Sequence, residues 1–118
     1  DEMTQRNGAL VEETSASAMF AYALLRAARL GLLQGEEANA ALSAGRSALE
    51  TLLERQFKVD EGGIVRLTGI VHVAGLGGFE GKVRDGAPDY YLTEPVVSED
   101  AKGVGPLMMA YAESLLLG

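Results

Sequence analysis

The sequence lacks several residue types on which common site chemistries depend. Its 118 residues include no cysteine, no tryptophan and a single histidine. Without cysteine there can be no disulfide and no thiolate metal site, and His72 alone provides too few nitrogen ligands for zinc. We therefore predict neither a metal site nor a cofactor, and a catalytic triad would have to depend on His72.

Positive charge and long apolar runs are also scarce. Seventeen acidic residues against ten basic residues give a net charge of −7. This balance argues against nucleic acid and against an anionic membrane surface as partners. The longest apolar run, residues 18–25, is far shorter than the roughly 20 residues of a membrane span, and no signal peptide is visible. Because the chain begins with Asp1, we expect either processing or a piece of a longer protein.

Glycine divides the chain into unlike parts. Ten of its fifteen glycines lie within residues 62–105, between an alanine- and leucine-rich first half and an apolar end. The patterns predict helices over about 15–30, 36–56 and 100–116, a hairpin around the Gly62-Gly63 turn, and a long loop over 69–99. A loop of that length inside a compact domain is typical of a functional segment or of a wrong assignment.

The three predicted helices differ in their polarity. The first and third have few charges all round, which is typical of helices buried on several sides. They also contain a short internal repeat, since residues 19–23 and 108–112 have nearly the same sequence. The second helix has one apolar stripe: Ala38, Ala41, Leu42, Gly45, Leu49, Leu52 and Leu53. This alternation of inner and outer helices is typical of an α/α toroid.

Local signals predict the helix ends. Thr14, Ser15 and Ser17 are candidate caps of the first helix, Glu12 and Glu13 lie near its positive end, and Gly31 ends it. Asp100 is the expected cap of the third helix. Gly103 and Gly105 weaken that helix, which indicates close backbone contact with another group.

The long loop contains the candidate binding residues. Its glycine-rich part, with Gly77 and Gly78, is not followed by a helix or a Gly-Lys-Ser/Thr motif, which argues against a phosphate loop. It is either a tight loop or a backbone that approaches a polar ligand. His72 is either a structural histidine or a ligand contact. Tyr90, Tyr91 and Glu94 fit either a sugar site or ordinary packing.

Several segments resemble one known family in order and spacing. They are ETSASAMFAYAL (13–24), LGLL (30–33), LTGI (67–70), VAGLGG (73–78), DYYLTEPVV (89–97) and DAKGVGP (100–106). They resemble the late helices of the unsaturated rhamnogalacturonyl hydrolases of glycoside hydrolase family 105, which are related to the unsaturated glucuronyl hydrolases of family 88. The chain departs from this pattern at Val71, where many members have cysteine.

The resemblance implies an all-α fold, the (α/α)6 barrel of six inner and outer helix pairs. Residues 1–118 would form its C-terminal part, with a short hairpin and a long glycine-rich loop. It also implies hydration of the 4,5-double bond of an unsaturated uronic acid on a pectin (rhamnogalacturonan) oligosaccharide. The catalytic aspartate would lie earlier in the family's chain, so we predict no catalytic residue here. His72, Gly77, Gly78, Tyr90, Tyr91 and Glu94 would contact the substrate near the cavity mouth.

Three further expectations follow from this resemblance. The chain should be inactive alone, its apolar helix faces should cause self-association or bind the missing part of the barrel, and the parent enzyme should be cytoplasmic. The alternative is a non-catalytic helical interaction module that uses the 69–99 loop to bind a partner. A second alternative is a complete small enzyme working through His72 and a carboxylate.

Overall fold

A computed structural model describes the side chains of residues 13–71 and 95–118, and the backbone alone of residues 5–6, 9–10, 77–79 and 82–84. These residues form three helices, α1 (Thr14–Arg29), α2 (Gly35–Arg55) and α3 (Ala101–Leu117). They also form eight short strands: β1 (Gln5–Arg6), β2 (Ala9–Leu10), β3 (Phe57–Val59), β4 (Val65–Leu67), β5 (Ile70–Val71), β6 (Gly77–Phe79), β7 (Lys82–Arg84) and β8 (Val96–Val97). The antiparallel pairs are β1–β2, β3–β4, β5–β8 and β6–β7.

Helices α1 and α2 are antiparallel neighbours, as the sequence predicts. Gly31 has a φ of +73°, so it ends α1 in the left-handed conformation that glycine adopts easily. Leu25, in the second half of α1, packs against Gly45 in the middle of α2. Ser17, near the amino-terminal end of α1, lines the same groove as Thr51, near the carboxyl-terminal end of α2. The short connection therefore folds α2 back along α1.

Helices α1 and α3 are parallel neighbours. At their amino-terminal ends, the Thr14 N–H donates to the Gly69 carbonyl at 2.8 Å, and the next residue, Ile70, packs against Gly103 of α3. Towards their carboxyl-terminal ends, Glu113 of α3 accepts hydrogen bonds from Arg26 and Arg29 of α1. The charge pattern predicts this arrangement: α1 and α3 are inner helices, and the outer helix α2 lies between them in the sequence.

The Glu113 carboxylate joins α3 to α1 inside the fold. Its side chain is only 4% exposed, and it lies 3.2 Å from Arg26 Nη1 and 3.1 Å from Arg29 Nη2, with a further bond from Arg29 Nε. The hydrogen bond from Arg29 is the main cause that lowers the pKa of Glu113 below its ordinary value of 4.5. A carboxylate so placed stabilises the folded state only while it is ionised.

We expect acid to destabilise the chain partly through Glu113. Because its folded-state pKa is lowered, its contribution is complete above pH 4.5 and is lost as the pH falls through that lowered pKa. The melting temperature of the wild type should fall as the pH drops below about 4.5. Glu113→Gln should lower it at neutral pH and flatten this dependence. The exposed Glu50→Gln is the control, and an equal flattening there would contradict the assignment.

The buried core lies where α1, α2, α3, β4 and β5 meet. Its residues are Ala18, Ala21, Leu25, Leu49, Leu52, Leu67, Ile70, Leu107 and Ala110. Within the predicted stripe of α2, Ala41, Gly45, Leu49 and Leu52 are buried. Leu53 is 38% exposed, so its assignment to the stripe is wrong. It follows Leu52 directly, and the helix turn of about 100° between neighbours takes it off the buried face.

The sequence prediction is wrong about the cap of α1. Glu13, rather than Thr14, Ser15 or Ser17, is the capping residue, and its carboxylate accepts from the Ala16 N–H at 2.6 Å. The Thr14 hydroxyl is buried and donates to the Thr68 carbonyl instead. The Ser15 hydroxyl donates to the Glu13 carboxylate at 2.7 Å. The hydroxyl groups are engaged elsewhere, and the acid caps the helix.

The loop predicted over 69–99 also contains regular structure. Ile70 pairs with Val97 and Val71 with Val96, while β6 and β7 form a hairpin in which Gly78 lies opposite Val83. The predicted hairpin at Gly62-Gly63 is confirmed, with Phe57 opposite Leu67. The strands in the loop have two or three residues each, too few for a visible alternation of apolar and polar positions.

Among the described residues, no helix combines the length and the apolar character needed to cross a bilayer.

Candidate functional site at the amino-terminal ends of α1 and α3

The β5–β8 pair brings together the two ends of residues 72–95, the segment that contains the predicted site residues. Val71, the last residue of β5, directly precedes His72, and Val96 of β8 lies two residues after Glu94. Because Val71 and Val96 are paired, the residues that flank this segment are neighbours. They lie beside the amino-terminal ends of α1 and α3, which defines the candidate site.

The predicted contact residues fall in two groups. His72, Tyr90, Tyr91 and Glu94 lie outside the described residues. Gly77 and Gly78 lie in β6, where Gly77 pairs with Arg84 of β7. Their assignment to substrate binding therefore stays a prediction, whereas the residues that support the segment can be described in detail.

Glu13 connects the start of α1 to β5. One carboxylate oxygen, Oε1, accepts from the Val71 N–H at 3.0 Å and from the Ser15 hydroxyl, while Oε2 caps the helix at Ala16. The negative charge at the helix start is also favourable to the helix dipole. A single carboxylate thus fixes the residue immediately before His72 relative to α1.

Thr14 adds two bonds to the stretch that leads into β5. Its N–H donates to the Gly69 carbonyl and its hydroxyl donates to the Thr68 carbonyl. Thr68 is also held from the other side, because its N–H donates to the Gln56 carbonyl at 2.8 Å. The entry to the candidate segment is therefore bonded to both α1 and the end of α2.

Glu99 holds the exit of the segment in the same way. Its N–H donates to the Leu67 carbonyl at 2.9 Å, and its side chain accepts from the Leu67 N–H at 2.9 Å. Its φ of +57° is unusual for a residue with a side chain. The other carboxylate oxygen accepts from Arg66 at 2.6 Å, and Arg66 also binds Asp60 at 2.9 Å. These bonds attach Glu99, two residues after β8, to strand β4.

The start of α3 completes this end of the fold. Asp100 caps the helix by accepting from the Lys102 N–H at 3.0 Å, as predicted, and pairs with the Lys102 ammonium group. Gly103 makes the close contact that the sequence indicates, since Ile70 lies directly against it. For Gly105 the same prediction is wrong within the described part of the chain, because no other element there comes within 4 Å of the place of a Cβ.

The described acidic residues at this end of the fold have a structural role. Glu13, Glu99 and Asp100 each accept backbone N–H groups, so they position the chain rather than offer a proton to a ligand. A groove between α1 and α2 is lined by Ser17, Ala44, Ser47, Ala48, Thr51 and Leu52. It presents no basic group for a uronate carboxylate. Within the ranges described, no three acidic or histidine side chains gather as metal ligands.

A comparison with known families then identifies the chain. The sequence profile of Glycosyl Hydrolase Family 88 matches residues 2–117. The chain belongs to glycosyl hydrolase family 88. Its structure is similar to that of a family 105 glycoside hydrolase from C. acetobutylicum, with a TM-score of 0.74 and 36% identity over 88% of the family 88 chain. That match covers 27% of the solved protein, and it confirms the predicted relationship and the C-terminal part of an α/α barrel.

Two curated relatives of this family 88 chain are more similar in sequence. Protein Atu3128 of Agrobacterium fabrum and the "24.9 kDa protein in picA locus" of Rhizobium radiobacter are each 83% identical to it over 105 residues. The match covers 89% of the family 88 chain and 45% of each relative. The chain thus spans less than half the length of these relatives.

The sequence reasoning missed the residues that support the site in the family 88 chain. The sequence pattern does not indicate Glu99, and it predicts Thr14 as a helix cap rather than as a contact to Thr68. Glu13 followed by Ser15 and Ala16 does carry a detectable signal, because an acid three residues before a free helix N–H can cap it. Its second bond, to Val71, has no local signal, since the two residues are 58 positions apart.

Proposed function

We propose that this chain forms the closing wall of a glycoside hydrolase that removes unsaturated uronic acid from pectin (rhamnogalacturonan) oligosaccharides. The match of the family 88 profile to residues 2–117 carries this proposal. Family membership implies a carbohydrate substrate. In the proposed reaction an acid protonates one carbon of the 4,5-double bond and water adds to the other. The resulting hemiketal collapses and releases the sugar.

The catalytic acid of the proposed reaction comes from outside the described residues. In support, the carboxylates at the candidate site, Glu13, Glu99 and Asp100, already accept backbone N–H groups. Glu113 is paired with two arginines near the other end of the helices. The proposed role of this chain is therefore to position the substrate-contacting segment and close the cavity wall.

The proposed substrate contacts are His72, Gly77, Gly78, Tyr90, Tyr91 and Glu94. Tyrosine rings stack on the apolar faces of sugars, and a carboxylate accepts from their hydroxyl groups. The bonds at Val71 and Leu67 support the proposal because they fix the two ends of this segment. By the same family resemblance, we place the reaction in the cytoplasm.

An assay on an unsaturated uronyl disaccharide tests the proposal. Hydration removes the double bond, so the reaction is followed by the loss of its ultraviolet absorbance. We expect no turnover by the 118-residue chain, and turnover by a longer protein that contains it together with the rest of the barrel. The saturated disaccharide is the control, because it offers no double bond to protonate.

Two results would contradict different parts of this proposal. Turnover by the 118-residue chain alone would show that its own residues supply the acid. Failure of the longer protein on the unsaturated substrate, with activity on another glycoside, would reject the proposed substrate. The rival interaction module needs α1 and α3 to cover each other's apolar faces. The exposure of Phe20 and Met108 does not favour it.

A further inference from the structure

Glu99 has a side chain at a place where the backbone favours glycine. Its φ is +57°, whereas the other described residues with a positive φ are all glycines: Gly31, Gly35, Gly63, Gly69 and Gly118. Glycine adopts this conformation easily, but a Cβ makes it unfavourable. A glutamate here therefore indicates that its side chain contributes something that glycine lacks.

That contribution is an oxygen for the edge of β4 that faces away from β3. Leu67 lies opposite Phe57, and its neighbour Thr68 donates its N–H to the Gln56 carbonyl on the β3 side. Because successive backbone groups of a strand point to opposite edges, the Leu67 N–H and carbonyl point away from β3. Glu99 bonds to both: its N–H donates to the Leu67 carbonyl at 2.9 Å, and its Oε1 accepts from the Leu67 N–H at 2.9 Å.

This arrangement lets the chain turn at once from β8 into α3. A neighbouring strand would supply both an N–H and a carbonyl from its main chain. Glu99 supplies the acceptor from its side chain instead, so its main chain can leave the edge of β4. Val97 ends β8 and Asp100 caps α3, with only Ser98 and Glu99 between them. The same residue therefore anchors the end of β8 and makes the turn.

Arg66 holds the other oxygen of the Glu99 carboxylate. Its Nη1 donates to Glu99 Oε2 at 2.6 Å, and its Nε donates to Asp60 Oδ2 at 2.9 Å. Asp60 Oδ1 in turn accepts from the Gly62 and Ile64 N–H groups, each at 2.9 Å. With one oxygen bonded to the main chain of β4 and the other to Arg66, the carboxylate has few orientations open to it. The β3–β4 hairpin thus sets its position.

We propose that Glu99 is a positioning residue for substrate binding that acts through the β5–β8 pair. This inference rests on the proposed function, in which residues between β5 and β8 contact the sugar. By anchoring the chain two residues after β8 to β4, Glu99 fixes Val97, which pairs with Ile70. Loss of the anchor should weaken substrate binding and leave the catalytic acid, which the proposed reaction takes from elsewhere in the barrel, unchanged.

Two substitutions of Glu99 separate its backbone from its side chain. Asparagine adopts a positive φ more readily than most residues, but Glu99→Asn shortens the side chain by one methylene, so it no longer reaches the Leu67 N–H. Glu99→Gln keeps the length and an acceptor oxygen but not the tolerance of a positive φ. If relief of the backbone mattered most, Glu99→Asn would be the milder change. If the side-chain bond matters most, Glu99→Gln is the milder one.

Kinetics in a longer protein that contains this chain and the rest of the barrel give the first readout. Glu99→Asn should raise the KM for the unsaturated uronyl disaccharide by about tenfold or more and change kcat by less than about threefold. Glu99→Gln should raise KM by no more than about threefold. Glu61→Asn is the matched control, since Glu61 lies exposed on the turn of the same hairpin and should behave as the wild type. An unchanged KM in Glu99→Asn would overturn the inference.

Amide hydrogen exchange of the same proteins gives a readout that needs no substrate. The Val97 amide should exchange about tenfold faster or more in Glu99→Asn than in the wild type, with a smaller change in Glu99→Gln. The Leu49 amide, in the middle of α2, should not change. Equal acceleration at Leu49 would overturn the inference, because the substitution would then act on the whole fold. An inactive longer wild type would reject the proposed function, whereas the exchange rates would still decide whether Glu99 positions β8.

Discussion

Gly103→Ala is expected to lower the free energy of unfolding by about 1–3 kcal/mol, the usual cost of overpacking a core. A Cβ at this position would lie 2.5 Å from Ile70 Cδ1 and 2.8 Å from Ile70 Cγ1. Ile70 is completely buried between α1 and α3, so its side chain has little room to move. The clash should outweigh the gain of about 1 kcal/mol that alanine normally brings to a helix.

Gly105→Ala is the matched control for this prediction. It lies in the same helix, two residues further on, and no side chain from another described element lies within 4 Å of the added Cβ. Pro106 follows it, and a proline ring disfavours the helical conformation of a preceding residue that has a Cβ. This opposes the gain from helix propensity, so Gly105→Ala should change the stability by no more than about 1 kcal/mol. Urea denaturation at one fixed protein concentration measures both changes. Equal effects of the two substitutions would contradict the packing argument.

A double substitution separates the clash from other causes. In an Ile70→Ala background the atoms nearest the new Cβ are gone, since both Cδ1 and Cγ1 are removed. Gly103→Ala should then cost much less than it does in the wild type, giving a coupling energy of about 0.5–3 kcal/mol. Strict additivity would show that Gly103 is needed for a reason other than the approach of Ile70.

Leu25→Ala is expected to have the largest single effect, a loss of about 2–5 kcal/mol. Among the described residues, Leu25 is one of the largest fully buried side chains, and it lies where α1 meets α2. Its removal deletes apolar contacts and leaves a cavity. Leu32→Ala is the control, since Leu32 is 73% exposed and should change stability by less than about 0.5 kcal/mol.

The closeness of Gly45 makes the Leu25 prediction more specific. A Cβ on Gly45 would lie 2.8 Å from Leu25 Cγ and 2.9 Å from its Cδ2. Gly45→Ala should therefore destabilise the wild type but be tolerated, or even favourable, once Leu25 is alanine. Thermal unfolding of the two single variants and the double variant measures this coupling. If the double variant loses the full sum of both effects, the proposed contact is wrong.

The sequence predicts the helices well because their signals are local. Each predicted helix agrees with α1, α2 or α3 to within one residue at both ends. Gly31 and Asp100 end and begin helices through bonds to residues a few positions away. The hairpin at Gly62-Gly63 is equally local. In these elements the pattern and the structure depend on the same neighbouring residues.

The contacts that support the candidate site are not local. Glu13 reaches Val71 and Glu99 reaches Leu67 across 58 and 32 positions. The sequence around an acidic residue before a helix is the same whether or not its carboxylate also accepts a hydrogen bond from a distant residue. The β5–β8 ladder has only two residue pairs, so no periodicity marks it. These contacts depend on how α1 and α3 pack, which a single sequence does not encode in any short window.

The assignment of the substrate-contacting residues depends on the family resemblance. Tyr90, Tyr91 and Glu94 fit a sugar site by residue type, but the same types also pack ordinary loops. The residues alone left both interpretations open, and the resemblance to the rhamnogalacturonyl hydrolases selected one. The relationship to glycoside hydrolase families 88 and 105 is confirmed, while the rhamnogalacturonan substrate and the role of each residue stay predictions.

The contacts at the two ends of α1 and α3 have a geometric consequence for the barrel. Ile70 against Gly103 sets the distance between the helices at one end, and Glu113 with Arg26 and Arg29 sets it at the other. Contacts near both ends limit how far the two helix axes can converge or diverge along their length. In a ring of helix pairs, small angular errors add up around the circle. These two contacts therefore help decide whether the last pair of the ring meets the first.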